Sequence, residues 1–149
     1  MPHKRKIVLL VDDDVEFLSE LRESLALSGY IPVTAANGKE ALKLARRIKP
    51  DVILLDLKLG TENGFAVAGR IRKYPGTARI PVIMMSGYFD EREHPGLLAP
   101  SSVNIYLRKP FSQKDVVRGI QTVLAGEAEK SFDPIRYLAA NSRKKTEKG

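Results

Sequence analysis

Five polar residues stand where apolar runs stop. Asp12 and Asp13 follow Ile7-Val-Leu-Leu-Val11, and Asp56 closes Asp51-Val-Ile-Leu-Leu-Asp56. Ser86 follows Pro81-Val-Ile-Met-Met85, and Lys109-Pro110 comes soon after Ile105-Tyr-Leu107. If these runs are parallel strands of one sheet, their carboxyl ends share an edge, and that edge is where such sheets bind ligands. Three carboxylates crowded there repel one another and call for a cation. Hard oxygen donors select Mg²⁺ or Ca²⁺, and a site with few carboxylates and open positions suits Mg²⁺, which keeps water and accepts phosphate oxygens. A hydroxyl (Ser86) and an ammonium (Lys109) opposite the metal would complete an anion clamp. That combination fits phosphoryl transfer, which depends on positioning and charge neutralisation. A carboxylate can itself be the nucleophile and form an aspartyl-phosphate.

The elements needed to position these groups are legible. Lys6–Val11 reads as a buried strand, and Asp14 is placed to cap the helix after it. Leu18, Leu21 and Leu25 repeat at helical spacing, with Gly29 as the stop. Tyr30–Ala35 is a second strand. Asn37 with Glu40 three residues on has the form of a reciprocal cap. Ala41, Leu44, Ala45 and Ile48 make the apolar face of the next helix, and Pro50 ends it. The run 51–56 is apolar on both faces, as a central parallel strand must be. Lys58–Gly64 reads as a loop. Phe65, Ala68 and Ile71 predict a helix closed by Pro75-Gly76, and 81–85 a fourth strand. Ile105–Leu107 is a fifth strand. Ser112 and Asp115 open a last helix with Val116, Ile120, Val123 and Leu124 on its inner face. Between them, Phe89–Asn104 holds Pro95, Gly96 and Pro100, so a regular fourth helix is not expected there.

Strand–helix alternation of this kind predicts an α/β domain with a doubly wound parallel sheet. The chain of 149 residues suits one such domain, over residues 1–126. Residues 127–149 form a C-terminal extension, expected to be partly helical through Phe132, Ile135, Tyr137 and Leu138, then polar and disordered. The absence of cysteine excludes disulfides and thiolate metal sites and points to a cytoplasmic setting. No apolar run has the ~18 residues of a membrane span. The net charge of +7 gathers at the two ends, a pattern of solvated tails more than of binding arms. His3 and His94 have no partner pattern, and Met84 and Met85 are expected in the core.

Taken together and in this order, Val11-Asp12-Asp13, the strand ending in Asp56, Ser86, Tyr106 and Lys109-Pro110-Phe111 resemble the receiver domain of two-component response regulators, over roughly residues 5–125. The resemblance implies a flavodoxin-like fold, with five strands in the order 2-1-3-4-5 and here a short or missing fourth helix. It implies that Asp56 takes a phosphoryl group from a sensor histidine kinase or phosphotransfer protein. Asp13, Asp56 and the backbone carbonyl of Lys58 would bind Mg²⁺, and Asp12 would hold metal-bound water. Ser86 and Lys109 would contact the phosphoryl group, and Tyr106 would be the switch residue. It implies a signalling phosphoacceptor that is no enzyme beyond slow self-phosphorylation and self-dephosphorylation. The stretch after the last helix is too short for a helix-turn-helix output domain, so the chain is expected to act as a single-domain receiver through an unidentified downstream protein, with homodimerisation open, or to be a piece of a longer regulator.

Two positions depart from the family pattern: Gly60 stands where a proline is usual, which predicts a more flexible loop, and Ser86-Gly87-Tyr88 resembles a subgroup with Thr-Gly-Tyr. Three other functions fit the sequence less well. A phosphorylation-independent interaction module is disfavoured by the complete acidic, hydroxyl and lysine set. Nucleic-acid binding is disfavoured by the absence of a recognition motif. A phosphatase with an aspartyl nucleophile would want an acid two residues after it, where this chain has Lys58.

Overall fold

The computed structural model describes residues 4–87 and 103–126. Five strands form one parallel sheet: β1 (Ile7–Val11), β2 (Ile31–Ala35), β3 (Val52–Asp56), β6 (Val82–Ser86) and β7 (Ile105–Arg108), in the order β2-β1-β3-β6-β7. A separate two-stranded ladder, β4 (Lys58–Leu59) with β5 (Glu62–Asn63), is antiparallel. Setting that ladder aside, the sheet has the expected order 2-1-3-4-5. Four helices are described: α1 (Val15–Leu27), α2 (Gly38–Ile48), α3 (Gly64–Arg72) and α4 (Gln113–Leu124). The expectation about a fourth helix within 89–104 falls mostly on residues outside the described set, as do those about Tyr88, His3, His94 and the extension 127–149. No helix among the described residues is long and apolar enough to cross a membrane.

Both faces of the sheet are covered, and strand alternation decides which side chain goes where. Val8, Leu10, Val52, Leu54, Ile83, Met85, Ile105 and Leu107 pack under α1 and α4, against Leu18, Leu21, Leu25, Val116, Ile120 and Val123. Leu9, Val11, Ile53, Leu55, Val82, Met84 and Tyr106 pack on the other side, against Ala41, Ala45, Val67, Ala68 and Ile71. Every residue of β3 is buried, which is why its sequence shows no polar alternation. Each fully buried Leu or Ile in these layers contributes roughly 1.5–3 kcal/mol over an exposed one.

Caps fix the strand-to-helix turns. The Phe17 amide donates to Asp14 Oδ1 at 3.1 Å, so Asp14 caps α1 as expected. Ser112 and Asp115 form a complete capping box on α4. The Asn37 carboxamide caps α2 through the Glu40 amide at 2.8 Å, but the Glu40 carboxylate reaches the amide of Ala36, one residue before the cap.

Other departures have local causes. α2 stops because Lys49 turns into the left-handed region, at φ 47°, immediately before Pro50. α3 ends at Arg72, short of Pro75-Gly76. There the Arg72 guanidinium turns to the carbonyls of Ala78 and Ile80, and Thr77 Oγ1 donates to the Ile71 carbonyl at 2.5 Å. Leu124, expected on the inner face of the last helix, is exposed at the helix end.

The stretch read as a loop, Lys58–Gly64, is the β4–β5 hairpin. Gly60 makes its turn with φ 61°, a conformation that proline's fixed φ near −65° forbids. The turn at this position therefore requires a residue other than proline.

Candidate active site

β1, β3 and β6 end side by side, and the residues at or just beyond their ends meet in an open cleft of about 360 Å³. Asp12, Asp13, Asp56, Lys58, Gly60, Ser86 and Lys109 all line it. The parallel register delivers them: Val11 pairs with Leu55, Asp56 with Met85, and Ser86 with Arg108. Carboxylate oxygens of Asp12, Asp13 and Asp56 lie within 4.8 Å of one another.

Each acid is held differently. Asp12 is buried, at 1% exposure. Its Oδ1 accepts the Asp14 amide at 2.9 Å, and its Oδ2 accepts the Lys109 ammonium at 2.5 Å. Asp13 is exposed, and its Oδ2 accepts the Gly60 amide at 3.0 Å. Asp56 is 7% exposed, with Lys109 Nζ 3.7 Å from its Oδ1. Burial pushes the Asp56 carboxyl up to about 6; the Lys109 ammonium pulls the other way, Asp12 adds to the rise, the Lys58 amide opposes it, and Asp13 adds a further push.

The backbone reinforces this arrangement. The Lys109 amide donates to the Ser86 carbonyl at 2.8 Å, tying the lysine's segment to the end of β6. The Gly64 amide donates to the Leu57 carbonyl at 2.7 Å. A Cβ at Gly64 would lie 2.4 Å from the Asp56 carbonyl oxygen, so only glycine lets α3 start this close to the end of β3.

The structure thus brings together Asp12, Asp13, Asp56, Lys58, Ser86 and Lys109, all singled out from sequence. It keeps Tyr106 apart. That side chain is 2% exposed in the layer facing α2 and α3, with its ring 6.2 Å from that of Phe65. Its hydroxyl has no hydrogen-bond partner among the described residues, and burial holds its pKa above the usual phenol range. Met84 pairs with Tyr106 and Ser86 with Arg108, so Tyr106 lies one strand over and two residues back from the cleft.

Three contributors were missed in the sequence. The Gly60 amide holds Asp13, Gly64 admits α3, and Phe17 lies under the Lys109 ammonium, which is 4.2 Å from the ring centroid.

The sequence profile of the response regulator receiver domain matches residues 8–121. The chain belongs to the response regulator receiver domain family. The receiver domain is 34% identical over 119 residues to the alkaline phosphatase synthesis transcriptional regulatory protein PhoP of Bacillus subtilis, covering 80% of this chain and 48% of that protein. The chain spans about half the length of most of the curated relatives it matches. Among solved structures it is similar to a CheY-like response regulator receiver domain protein from Methanospirillum hungatei JF-1, with TM-score 0.74 and 27% identity, covering 85% of this chain and 98% of that one. It is similar as well to the receiver domain of sensor histidine kinase PA1611 from Pseudomonas aeruginosa PAO1, with TM-score 0.73 and 27% identity, covering 82% and 99%. That structure carries a magnesium ion coordinated in its active-site cleft. The fold of the receiver domain agrees with the resemblance read from its motifs.

Proposed function

We propose that this receiver domain, residues 1–126 of the chain, accepts a phosphoryl group on Asp56 from a sensor histidine kinase or phosphotransfer protein. It works in the cytoplasm and signals by a change of shape passed on through protein contacts, with 127–149 as an extension. The observation that carries the reading is the setting of Asp56. It is a nearly buried carboxylate at a strand end, flanked by two more acids and faced by one ammonium.

The acid cluster fits Mg²⁺. Hard oxygens lie close together, and one lysine does not neutralise three carboxylates. Asp13, Asp56 and the Lys58 carbonyl would hold the ion, with Asp12 acting through bound water. When present, the ion neutralises charge on the phosphoryl oxygens. The remaining work belongs to the chain. An Asp56 carboxylate oxygen attacks phosphorus, the P–N bond to the donor imidazole breaks, and the imidazole departs with a proton from solvent. The Lys109 ammonium, already 3.7 Å from Asp56, pairs with the new phosphoryl charge, and the Ser86 hydroxyl donates to a phosphoryl oxygen. Tyr106 is the switch: its buried hydroxyl, without a hydrogen-bond partner among the described residues, sits on the strand beside β6, where a movement of Ser86 can be felt. The domain is a phosphoacceptor with only slow self-phosphorylation from small donors and slow self-dephosphorylation.

Incubation with acetyl phosphate and Mg²⁺, followed by intact mass measurement, tests this. A gain of about 80 Da, the mass of one HPO₃, dependent on Mg²⁺ and absent in Asp56→Asn, is the expected result. No adduct, together with no beryllofluoride binding, would instead favour a phosphorylation-independent interaction module.

A further inference from the structure

The lysine facing Asp56 is held by more than charge. Its ammonium is 2.5 Å from Asp12 Oδ2 and 3.7 Å from Asp56 Oδ1, and it sits 4.2 Å from the centroid of the Phe17 ring. That ring is itself fixed. The Phe111 ring meets it edge to face, with centroids 5.9 Å apart and planes at 80°. Phe111 follows Lys109 by two residues, so one short segment supplies both the cation on one side of Phe17 and the ring against it. We propose that Phe17 is a positioning residue for Lys109, whose aromatic face keeps the ammonium over the cleft when its carboxylate partners are drawn elsewhere. This rests on the reading of Lys109 as the group that pairs with the phosphoryl charge.

The three contacts differ in what competes with them. A cation in the acid cluster draws on Asp12 and Asp56, the same carboxylates that hold Lys109 in the metal-free protein. Phosphorylation then changes Asp56 itself. The face of Phe17 is neutral and is competed for by neither. A ring face attracts an ammonium through its quadrupole, more strongly when water is partly excluded, and the Lys109 side chain is only 22% exposed. A leucine at 17 would keep an apolar contact with Phe111 but offer no quadrupole. The four-carbon lysine stem would then sample more rotamers at the moment a phosphoryl group arrives.

The experiment has a spectroscopic and a kinetic arm, both on the full chain. With ¹³C-labelled lysine in the metal-free protein, the ε-methylene protons of Lys109, assigned by their loss in Lys109→Arg, should resonate upfield through the Phe17 ring current. They should move to the ordinary lysine position in Phe17→Leu and stay upfield in Phe17→Tyr. Phosphorylation by acetyl phosphate with Mg²⁺ should slow about three- to tenfold in Phe17→Leu, the range a partly desolvated cation–π contact corresponds to, and return to near the wild-type rate in Phe17→Tyr. Urea midpoints of the two variants verify that both fold. Three results would overturn the proposal: wild-type kinetics in Phe17→Leu, no upfield shift in the wild type, or Phe17→Tyr as slow as Phe17→Leu despite a retained shift. A wild type that takes no phosphoryl group is a different failure, because it removes the reading on which the proposal rests.

Discussion

Replacing Asp56 with asparagine should make the metal-free protein more stable at neutral pH, and the structure gives the size. Burial among other acids raises the Asp56 carboxyl from 3.8 to about 6. The difference, 6 − 3.8 = 2.2, multiplied by about 1.36 kcal/mol per unit, gives about 3 kcal/mol. The sign follows from proton binding. Between these two values the folded state holds a proton that the unfolded chain has released, so stability falls as pH rises through that window. Above it the full cost of an ionised, buried carboxylate is present. Asparagine resembles the protonated acid in shape and charge, so it escapes that cost. The loss of the 3.7 Å contact with Lys109 is softened because Lys109 keeps Asp12 at 2.5 Å.

The assay is urea unfolding followed by circular dichroism, with a chelator, across pH 3.5 to 8. The variant should match the wild type near pH 4 and exceed it by about 2–3 kcal/mol at pH 7.5 with an unchanged slope on urea. Added Mg²⁺ should then narrow the gap by stabilising the wild type, about 2.7 kcal/mol at a hundredfold excess over its dissociation constant. A variant equal to or weaker than the wild type at pH 7.5, or a difference that ignores pH, would refute the reasoning.

Three further perturbations test neighbouring parts of the argument. Gly64→Ala places a Cβ 2.4 Å from the Asp56 carbonyl and 3.1 Å from Met84 Sδ, so urea unfolding should show a loss of about 1–3 kcal/mol and phosphoryl uptake should slow as Asp56 shifts. Gly60→Pro cannot adopt φ 61° and has no amide for Asp13, so calorimetric titration should show weaker Mg²⁺ binding than in Gly60→Ala, which keeps the amide; equal binding would dismiss the Gly60–Asp13 contact as incidental. Lys58 is exposed at the cleft, where an ammonium near the phosphoryl group should assist attack by water, so Lys58→Ala should lengthen the lifetime of the phosphorylated state; identical lifetimes would remove Lys58 from that role.

The candidate site was legible because its residues mark the ends of buried strands. Val-Ile-Leu-Leu before Asp56 reads as a strand apolar on both faces, and a carboxylate closing such a run is rare without a partner. Asp14 and the Ser112–Asp115 pair were legible because caps act over three residues. Features set by tertiary structure were not. The β4–β5 ladder has two residues per strand, too few to show a period. The left-handed turn at Lys49 falls on a residue whose type gives no sign of it, so Pro50 drew the attention. Leu124 fits the helical repeat, yet α4 runs past the edge of what it covers. Phe17 reads as one more apolar helix residue, and its place under Lys109 follows only from the contact between α1 and the segment after β7.

The departures from local rules gather in the cleft, where function is expected to override stability. Three acids have oxygens inside 4.8 Å, Lys109 pairs with two of them, and one of those acids is costly when ionised. The two dense apolar layers on either side of the sheet tolerate that cost. On the proposed reading, the same crowding makes the site responsive. A phosphoryl group on Asp56 would change the balance between Asp12 and Asp56 for Lys109. The Lys109 amide is bonded to the Ser86 carbonyl, so a shift of the lysine segment reaches the end of β6. From there the paired strand leads to Tyr106, whose buried hydroxyl lacks a hydrogen-bond partner among the described residues and so gains by moving to one. On that reading, tension at the acid cluster and the Tyr106 hydroxyl two residues along the adjoining strand would supply the two ends of a two-state element that a single covalent charge biases.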